Sequence, residues 1–269
     1  MSFVSECKPR VVALLGNDSQ HRNTLATLLR NEINVVGVCI ANNKSIGIPL
    51  EYIIKSARKR GWFKIVSQII ARLIYLLRNW KRDKKLKSLI FNDIKNIQTI
   101  KQSNLPIVTD KNYSSQLEFI SQLKPEILIV HTGSWVGKKV RDIESVRYVI
   151  GGHPGITPLY RGSNSAFWAI YNNDIKNIGW TSFILDKGVD TGPVIEQGFI
   201  IPNHEETFMS LGWRGMVEIA LSQVKAIKNY STNKIILSKS HNSIPDGSEY
   251  SIPTLSQQIK YWIMQKRVK

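Results

Sequence analysis

The sequence has few cysteines, few acidic residues and no long apolar run, and each shortage excludes a class of protein. The two cysteines, Cys7 and Cys39, have no metal-binding spacing, so we expect reduced thiols in a cytoplasmic protein and no bound metal. No uncharged apolar stretch reaches the roughly 18 residues of a spanning helix. The first 16 residues favour a strand over a secretory signal.

The shortage of acidic residues makes the chain strongly basic. Lys and Arg number 37 against 20 Asp and Glu, which gives a formal net charge of +17 in 269 residues. Such a balance is typical of proteins that bind nucleic acid, an anionic membrane or a phosphorylated substrate. A lysine-rich genome would produce the same excess, so charge alone does not decide between these interpretations.

Three short segments at the beginning of the chain predict a parallel sheet. Residues 10–16 and 33–41 are buried-strand sequences, and residues 17–32 between them have the leucine spacing of a helix. Further strands are predicted within 105–110 and 125–135, and a long helix over 205–230. We therefore expect an α/β fold with a mostly parallel sheet and flanking helices. The first turn lacks G-x-G-x-x-G, so a dinucleotide site has no support.

Two departures from this α/β pattern are expected. A helical insertion occupies about 50–100, and a short extension follows residue 230, so we predict a catalytic domain over 8–230 and an extension over 231–269. The extension contains hairpin-like sequence and a basic helix over 254–267.

The insertion contains a basic amphipathic helix. One helical face carries only apolar residues, and about a dozen Lys and Arg lie within 55–87 against one acid, Asp83. The helix either lies in a membrane interface or packs this face on its own domain. The apolar residues are Trp62, Val66, Ile69, Ile70, Leu73, Leu77 and Trp80.

The candidate catalytic residues lie in two loops. His153 lies between glycines and prolines in "GGHPGITPLYRG" (151–162), after a predicted strand, where open α/β sheets place ligand sites. Asp190, in "LDKGVDTGP", could orient an imidazole, or it could satisfy only its own turn; Asp186 could be that turn residue. Arg161 could bind a phosphate or carboxylate, or form a surface ion pair.

Together, "HPGITPLYRGSNSAFWAI" and "GWTSFILDKGVDTGPVI" resemble the catalytic domain of the folate-dependent formyltransferases over residues 10–230. The resemblance implies a Rossmann-like fold and formyl transfer from 10-formyltetrahydrofolate to a primary amine, without a metal. It implies that His153 stabilises the tetrahedral oxyanion and that Asp190 orients His153 and relays the amine proton. It places the folate against Gly133, Asp186, Lys187 and Gly188, and the acceptor near Gly151, Gly152, Tyr160 and Arg161.

One residue departs from the family pattern. The family has an asparagine two positions before the histidine, and here that position is Gly151. Backbone N–H groups of the glycine turn could replace the amide, or the protein could be a catalytically impaired folate- or nucleotide-binding protein. Candidate replacement side chains are Asn164, Thr132, Ser134 and His131; alternatively, His131 is simply hydrogen-bonded at a strand end.

The acceptor is expected to be a small, phosphorylated amine. The motif is most similar to formyltransferases that act on amino sugars linked to nucleotides in polysaccharide biosynthesis. Alternatives are phosphoribosylglycinamide and methionyl-tRNA, although the 39 residues after position 230 are too few for the tRNA-binding barrel. The expected location is the cytoplasm, with an anionic membrane contact at its inner face through 55–87.

Overall fold

The computed structural model of the chain describes residues 8–41, 54, 57–59, 61–230 and 244–267. Parts of the predicted insertion and extension, including 231–243, therefore lie outside the described residues. The main sheet has seven strands. They are β1 Val11–Leu15, β2 Val35–Ala41, β3 Ile107–Asp110, β4 Ile127–His131, β5 Tyr148–His153, β7 Gly179–Ile184 and β8 Val194–Phe199.

The strand order confirms the predicted mostly parallel α/β fold. The order is β3-β2-β1-β4-β5-β7-β8, in which β7 runs antiparallel to both of its neighbours, β5 and β8, and the other four pairs are parallel. The chain winds outward from β1 to β3 and then crosses back to β4 on the opposite side of β1. This reversal creates a switch point between β1 and β4, where ligands bind in open α/β sheets.

Helices cover both faces of the sheet because alternate residues of its central strands point in opposite directions. Val11, Ala13 and Leu15 of β1 pack in one cluster with Leu28, in the helix that follows β1, and with Val224, in the long helix that begins at Phe208. Val12 and Leu14 pack instead with buried residues of the 113–140 region. The helices are α1 Ser19–Arg30, α2 Trp62–Phe91, α3 Asp93–Gln102, α4 Leu117–Gln122, α5 Lys138–Arg141, α6 Ser165–Tyr171, α7 Phe208–Tyr230 and α8 Leu255–Arg267.

The inserted helix α2 is fixed to the rest of the protein at several points. The Gln68 side-chain amide donates to the Ile252 carbonyl at 2.5 Å, and the Leu255 N–H donates to Ser67 Oγ at 2.9 Å. Further along, the Arg82 guanidinium donates to the carbonyls of His204 and Glu205. The segment after residue 243 is anchored as well, by the short parallel pair of β6 Arg161–Gly162 and β9 Glu249–Tyr250.

The helix packs on its own domain, but through other residues than the apolar face that the sequence analysis identified. Ile65, Ala71 and Tyr75 are the buried apolar residues near the start of α2, whereas Leu73 is 55% and Leu77 84% exposed. The helix is apolar on two sides, and helical spacing does not tell which side faces the protein. Among the helices that the structure describes, none has both the length and the hydrophobicity needed to cross a bilayer.

We predict that Gly152→Ala destabilises the protein by roughly 1–3 kcal/mol, because the new Cβ would lie 2.1 Å from Ile219 Cγ2. Urea denaturation of the wild type and the variant measures this. Gly212→Ala in α7 is the control, since its Cβ would meet nothing within 4 Å. Equal loss in both variants would contradict the steric explanation.

Candidate active site

A cleft of about 570 Å³ opens at the carboxyl ends of β4 and β5. The two strands pair only as far as Ile129 and Ile150, and most of the residues that follow these pairs line the cleft. Val130 and Thr132 form one wall, and Gly151 and Gly152 form another. Its volume is typical of sites for small organic ligands.

The cleft contains the two candidate catalytic residues in direct contact. His153 Nδ1 lies 3.2 Å from Asp190 Oδ2, and their side chains are 6% and 20% exposed. The fold brings together residues 37 positions apart because His153 ends β5 and Asp190 lies in the β7–β8 connection. The same Asp190 oxygen accepts a hydrogen bond from the Gly162 N–H at 3.0 Å. Asp190 adopts the left-handed backbone conformation (φ 53°), which Asp tolerates better than most residues.

The other imidazole nitrogen is also engaged. His153 Nε2 lies 2.7 Å from the Tyr160 carbonyl oxygen and 2.8 Å from Ser165 Oγ. A carboxylate and a carbonyl therefore face the two ring nitrogens. Each of these two groups can accept a hydrogen bond from the ring nitrogen that it faces, so together they fix the orientation of the His153 ring.

The residues expected to hold a folate occupy different positions relative to the cleft. Gly133, Asp186 and Gly188 line it, whereas the exposed Lys187 does not. The Asp186 carboxylate accepts hydrogen bonds from the Gly188 N–H at 2.9 Å and from Thr191 Oγ1 at 2.7 Å. Asp186 therefore organises its own turn, which is the alternative that the sequence left open for it.

Two residues expected near the acceptor are placed elsewhere. Arg161 is 9% exposed and donates to the Val189 carbonyl at 2.9 Å and to Ser248 Oγ at 3.1 Å. Tyr160 is 4% exposed and its hydroxyl donates to Asp174 Oδ2 at 2.8 Å. Neither side chain lines the cleft, and both make hydrogen bonds that hold protein segments together, so the structure gives no support to the expectation that they contact the acceptor.

Three of the four candidate replacement donors line the cleft: Asn164, Thr132 and Ser134. Thr132 Oγ1 accepts a hydrogen bond from the Ser134 N–H at 3.0 Å. Asn164 precedes α6 in the left-handed conformation, and its side chain makes no capping hydrogen bond to that helix. The fourth candidate, His131, is 1% exposed and does not line the cleft.

Two buried histidines lie next to each other at the base of the cleft, with ring centroids 6.1 Å apart, and His131 is the one that does not line it. Its Nδ1 lies 2.7 Å from Thr24 Oγ1, and burial lowers its pKa to about 3. The other, His21, lines the cleft, although the sequence analysis did not select it. Burial lowers the pKa of His21 to about 4, despite the opposing effect of Asp18. The sequence feature that could have identified His21 is its position in the first turn of α1, directly after β1, where ligand sites of open α/β sheets lie.

Comparisons of the sequence and of the structure with known proteins point to the same kind of protein. No protein-family model matches the chain. A methionyl-tRNA formyltransferase from Clostridium beijerinckii is 33% identical over 127 residues, which are 47% of this chain and 41% of that protein. The chain thus spans about two fifths of the length of that curated relative.

Solved structures show the same fold over nearly the whole chain. Glycinamide ribonucleotide transformylase 1 from Symbiobacterium toebii superposes with a TM-score of 0.59 at 12% identity, over 91% of this chain and 98% of that one. A 4-N formyltransferase from Francisella tularensis gives a TM-score of 0.53 at 14% identity, over 94% and 86%. The chain thus resembles methionyl-tRNA formyltransferases in sequence over about half of its length, and it shares the fold of these solved formyltransferases.

Gly151 is the position at which the sequence departs from the formyltransferase pattern, which has asparagine there. A Cβ at this position would lie 3.3 Å from Phe183 Cε2 and 3.4 Å from Leu185 Cδ1. Both neighbours are side-chain atoms at the cleft wall, and both would have to move by a few tenths of an ångström. Position 151 can therefore accommodate a side chain if these two neighbours shift slightly.

We predict that the protein loses stability below about pH 6.5, because the unfolded chain then binds a proton at His131 and the folded protein does not. The folded pKa lies below the unfolded value, so the contribution is complete above pH 6.5 and is lost as the pH falls. It amounts to about 1.4 kcal/mol at pH 5.5.

Denaturant titrations at several pH values test this with His131→Asn, whose amide can retain the contact with Thr24. As the pH falls, the unfolding free energy of the variant should decrease less steeply than that of the wild type. The difference in slope should correspond to about one proton fewer taken up on unfolding. His204→Asn, at an exposed position, is the control and should keep the wild-type slope. Identical slopes for His131→Asn and wild type would show that His131 does not carry the effect.

Proposed function

We propose that this protein transfers a formyl group from 10-formyltetrahydrofolate to a primary amine. The observation that carries the proposal is the 3.2 Å contact between His153 and Asp190 at the wall of a ligand-sized cleft. The cleft also has apolar walls, including Phe183 and Leu185, beside the 186–190 loop, which suits a flat heterocycle such as a pterin.

The proposed reaction needs a proton acceptor and a positive charge. The acceptor amine attacks the formyl carbon, a carbon–nitrogen bond forms, and the bond from that carbon to N10 of the donor breaks. The attacking amine must lose a proton, and N10 must gain one. Within the described residues, Asp190 uses only Oδ2 for its two contacts, which leaves Oδ1 to accept the amine proton.

His153 supplies the positive charge in this proposal. Its imidazolium form would stabilise the negative oxygen that develops on the formyl carbon, and the Tyr160 carbonyl and Asp190 hold the ring in place. Because the ring is 5% exposed, water would weaken this electrostatic effect little.

Asn164 is the proposed replacement for the family's asparagine. It lines the cleft, its amide is not used to cap α6, and an amide is the group that Gly151 lacks. Thr132 is less suitable, because its hydroxyl oxygen already orders the turn at Ser134.

The proposed acceptor is an amino sugar linked to a nucleotide, within a polysaccharide pathway. Support comes from the basic charge of the chain, which suits a diphosphate, and from a sugar N-formyltransferase of Shewanella that has the same fold. Methionyl-tRNA is the second candidate, because the curated relatives carry that name. An acceptor screen that includes nucleotide-linked amino sugars, phosphoribosylglycinamide and methionyl-tRNA separates these alternatives.

We predict that His153→Ala and Asp190→Asn each lower kcat/KM by about 10²–10⁴-fold, because each removes a group that acts in the transition state. Formyl transfer from 10-formyltetrahydrofolate is measured under single-turnover conditions, with thermal melting as a folding control. Asp142→Asn, which changes an exposed carboxylate, is the matched control and should keep full activity. Full activity of His153→Ala would refute the assigned site.

We predict that Asn164→Asp lowers kcat/KM by about 10²-fold, since it keeps the size of the side chain and removes the donor. Adding Gly151→Asn should restore part of this loss by supplying an amide at the family's position. Adding Gly151→Ala, which introduces only the Cβ, should not. Equal effects of the two additions would mean that no side-chain amide donor operates at either position.

A further inference from the structure

Helix α2 presents an apolar face to solvent along most of its length. We call this the outer face of α2; Phe63 is 94% and Leu77 84% exposed, and tryptophans 54% and 60% exposed lie at its two ends. The ends are 18 residues apart, which corresponds to ~27 Å of helix. The outer face comprises Trp62, Phe63, Val66, Ile70, Leu73, Leu77 and Trp80.

The exposure of the outer face follows from how α2 is attached. The opposite side of the helix buries Ile65, Ala71 and Tyr75, and the hydrogen bonds of Gln68 and Arg82 fix its two halves to the body. Rotating the helix to bury the outer face would expose those residues and break those bonds. An apolar surface of this extent indicates an interaction site.

The charge on α2 is almost entirely positive. Eight Lys or Arg and one acid, Asp83, lie between residues 62 and 91. The Asp83 carboxylate is occupied, since it accepts hydrogen bonds from the Tyr75 hydroxyl at 2.9 Å and from Thr207 Oγ1 at 2.7 Å. The exposed basic side chains on or beside the outer face are Arg72, Arg78, Lys81, Lys84 and Lys85.

We propose that the outer face of α2 docks on an anionic phospholipid bilayer. Apolar side chains flanked by Lys and Arg, with tryptophans at the ends, match the chemistry of a headgroup interface. A second copy of the chain would fit poorly, because a two-fold contact through α2 would bring two basic surfaces together. The proposal does not depend on the proposed formyl transfer.

Docking through the outer face would bring the bilayer close to the catalytic cleft. A second cavity of about 480 Å³ lies beside α2, and Leu76 and Trp80 line it. Asn164, Met209 and Trp213 line both this cavity and the cleft. An acceptor held at the membrane surface would therefore reach the cleft over a short distance.

The test is flotation of the full chain with vesicles of phosphatidylglycerol and phosphatidylcholine, and with phosphatidylcholine alone. We expect flotation with the anionic vesicles at about 50 mM salt, weaker flotation at high salt, and little with the neutral ones. Leu73→Gln/Leu77→Gln should lower partitioning by about tenfold or more, because it removes two outer-face side chains. Leu89→Gln/Ile94→Gln, which changes two exposed apolar residues outside that face, is the matched control.

A second pair of double variants tests how much the positive charge contributes to vesicle binding. Lys81→Glu/Lys85→Glu should weaken flotation, whereas Lys139→Glu/Lys176→Glu, at exposed positions outside α2, should change it much less. Failure of the wild type to float with anionic vesicles at low salt would overturn the proposal. Equal losses in the test and control variants would also overturn it. So would a wild-type protein that is a dimer, does not bind vesicles, and becomes a monomer when Leu73→Gln/Leu77→Gln is introduced.

Discussion

The geometry of the candidate site depends on Arg161, a buried cation outside the cleft. Its guanidinium holds the Val189 carbonyl and Ser248 Oγ, and its backbone N–H donates to the Ser248 carbonyl. The next residue, Gly162, donates to the Asp190 carboxylate. One buried side chain thus joins the β7–β8 connection, β6 and the segment before α8. The position of Asp190 beside His153 follows from this arrangement, because a planar guanidinium binds its acceptors in fixed directions.

Much of the fold could be predicted from local sequence. The strands around Val11–Leu15, Val35–Ala41 and Ile127–His131 are continuous apolar runs, as expected for parallel strands buried on both faces. The pairing of His153 with Asp190 came from the resemblance to a family, since no local rule joins residues so far apart in sequence. The structure places them in contact.

Other features could not be read from the sequence because they depend on tertiary contacts. Arg161 looked like a ligand-binding cation, but the carbonyl that it binds comes from another loop. The spacing in α2 gave an apolar face and did not reveal a second one, which is the one that packs on the body through Ile65 and Tyr75. His21 lines the cleft only because the turn after β1 directs the start of α1 toward it.

The wall between the two cavities has a thermodynamic consequence. Met209 and Trp213 lie one helical turn apart on α7 and contribute side chains to both spaces. A molecule that enters one space and shifts these side chains changes the shape of the other. The binding equilibria are then coupled, and linkage requires each occupant to change the affinity for the other by the same factor. Because Met209 and Trp213 line both cavities, their packing makes binding in one cavity depend on binding in the other.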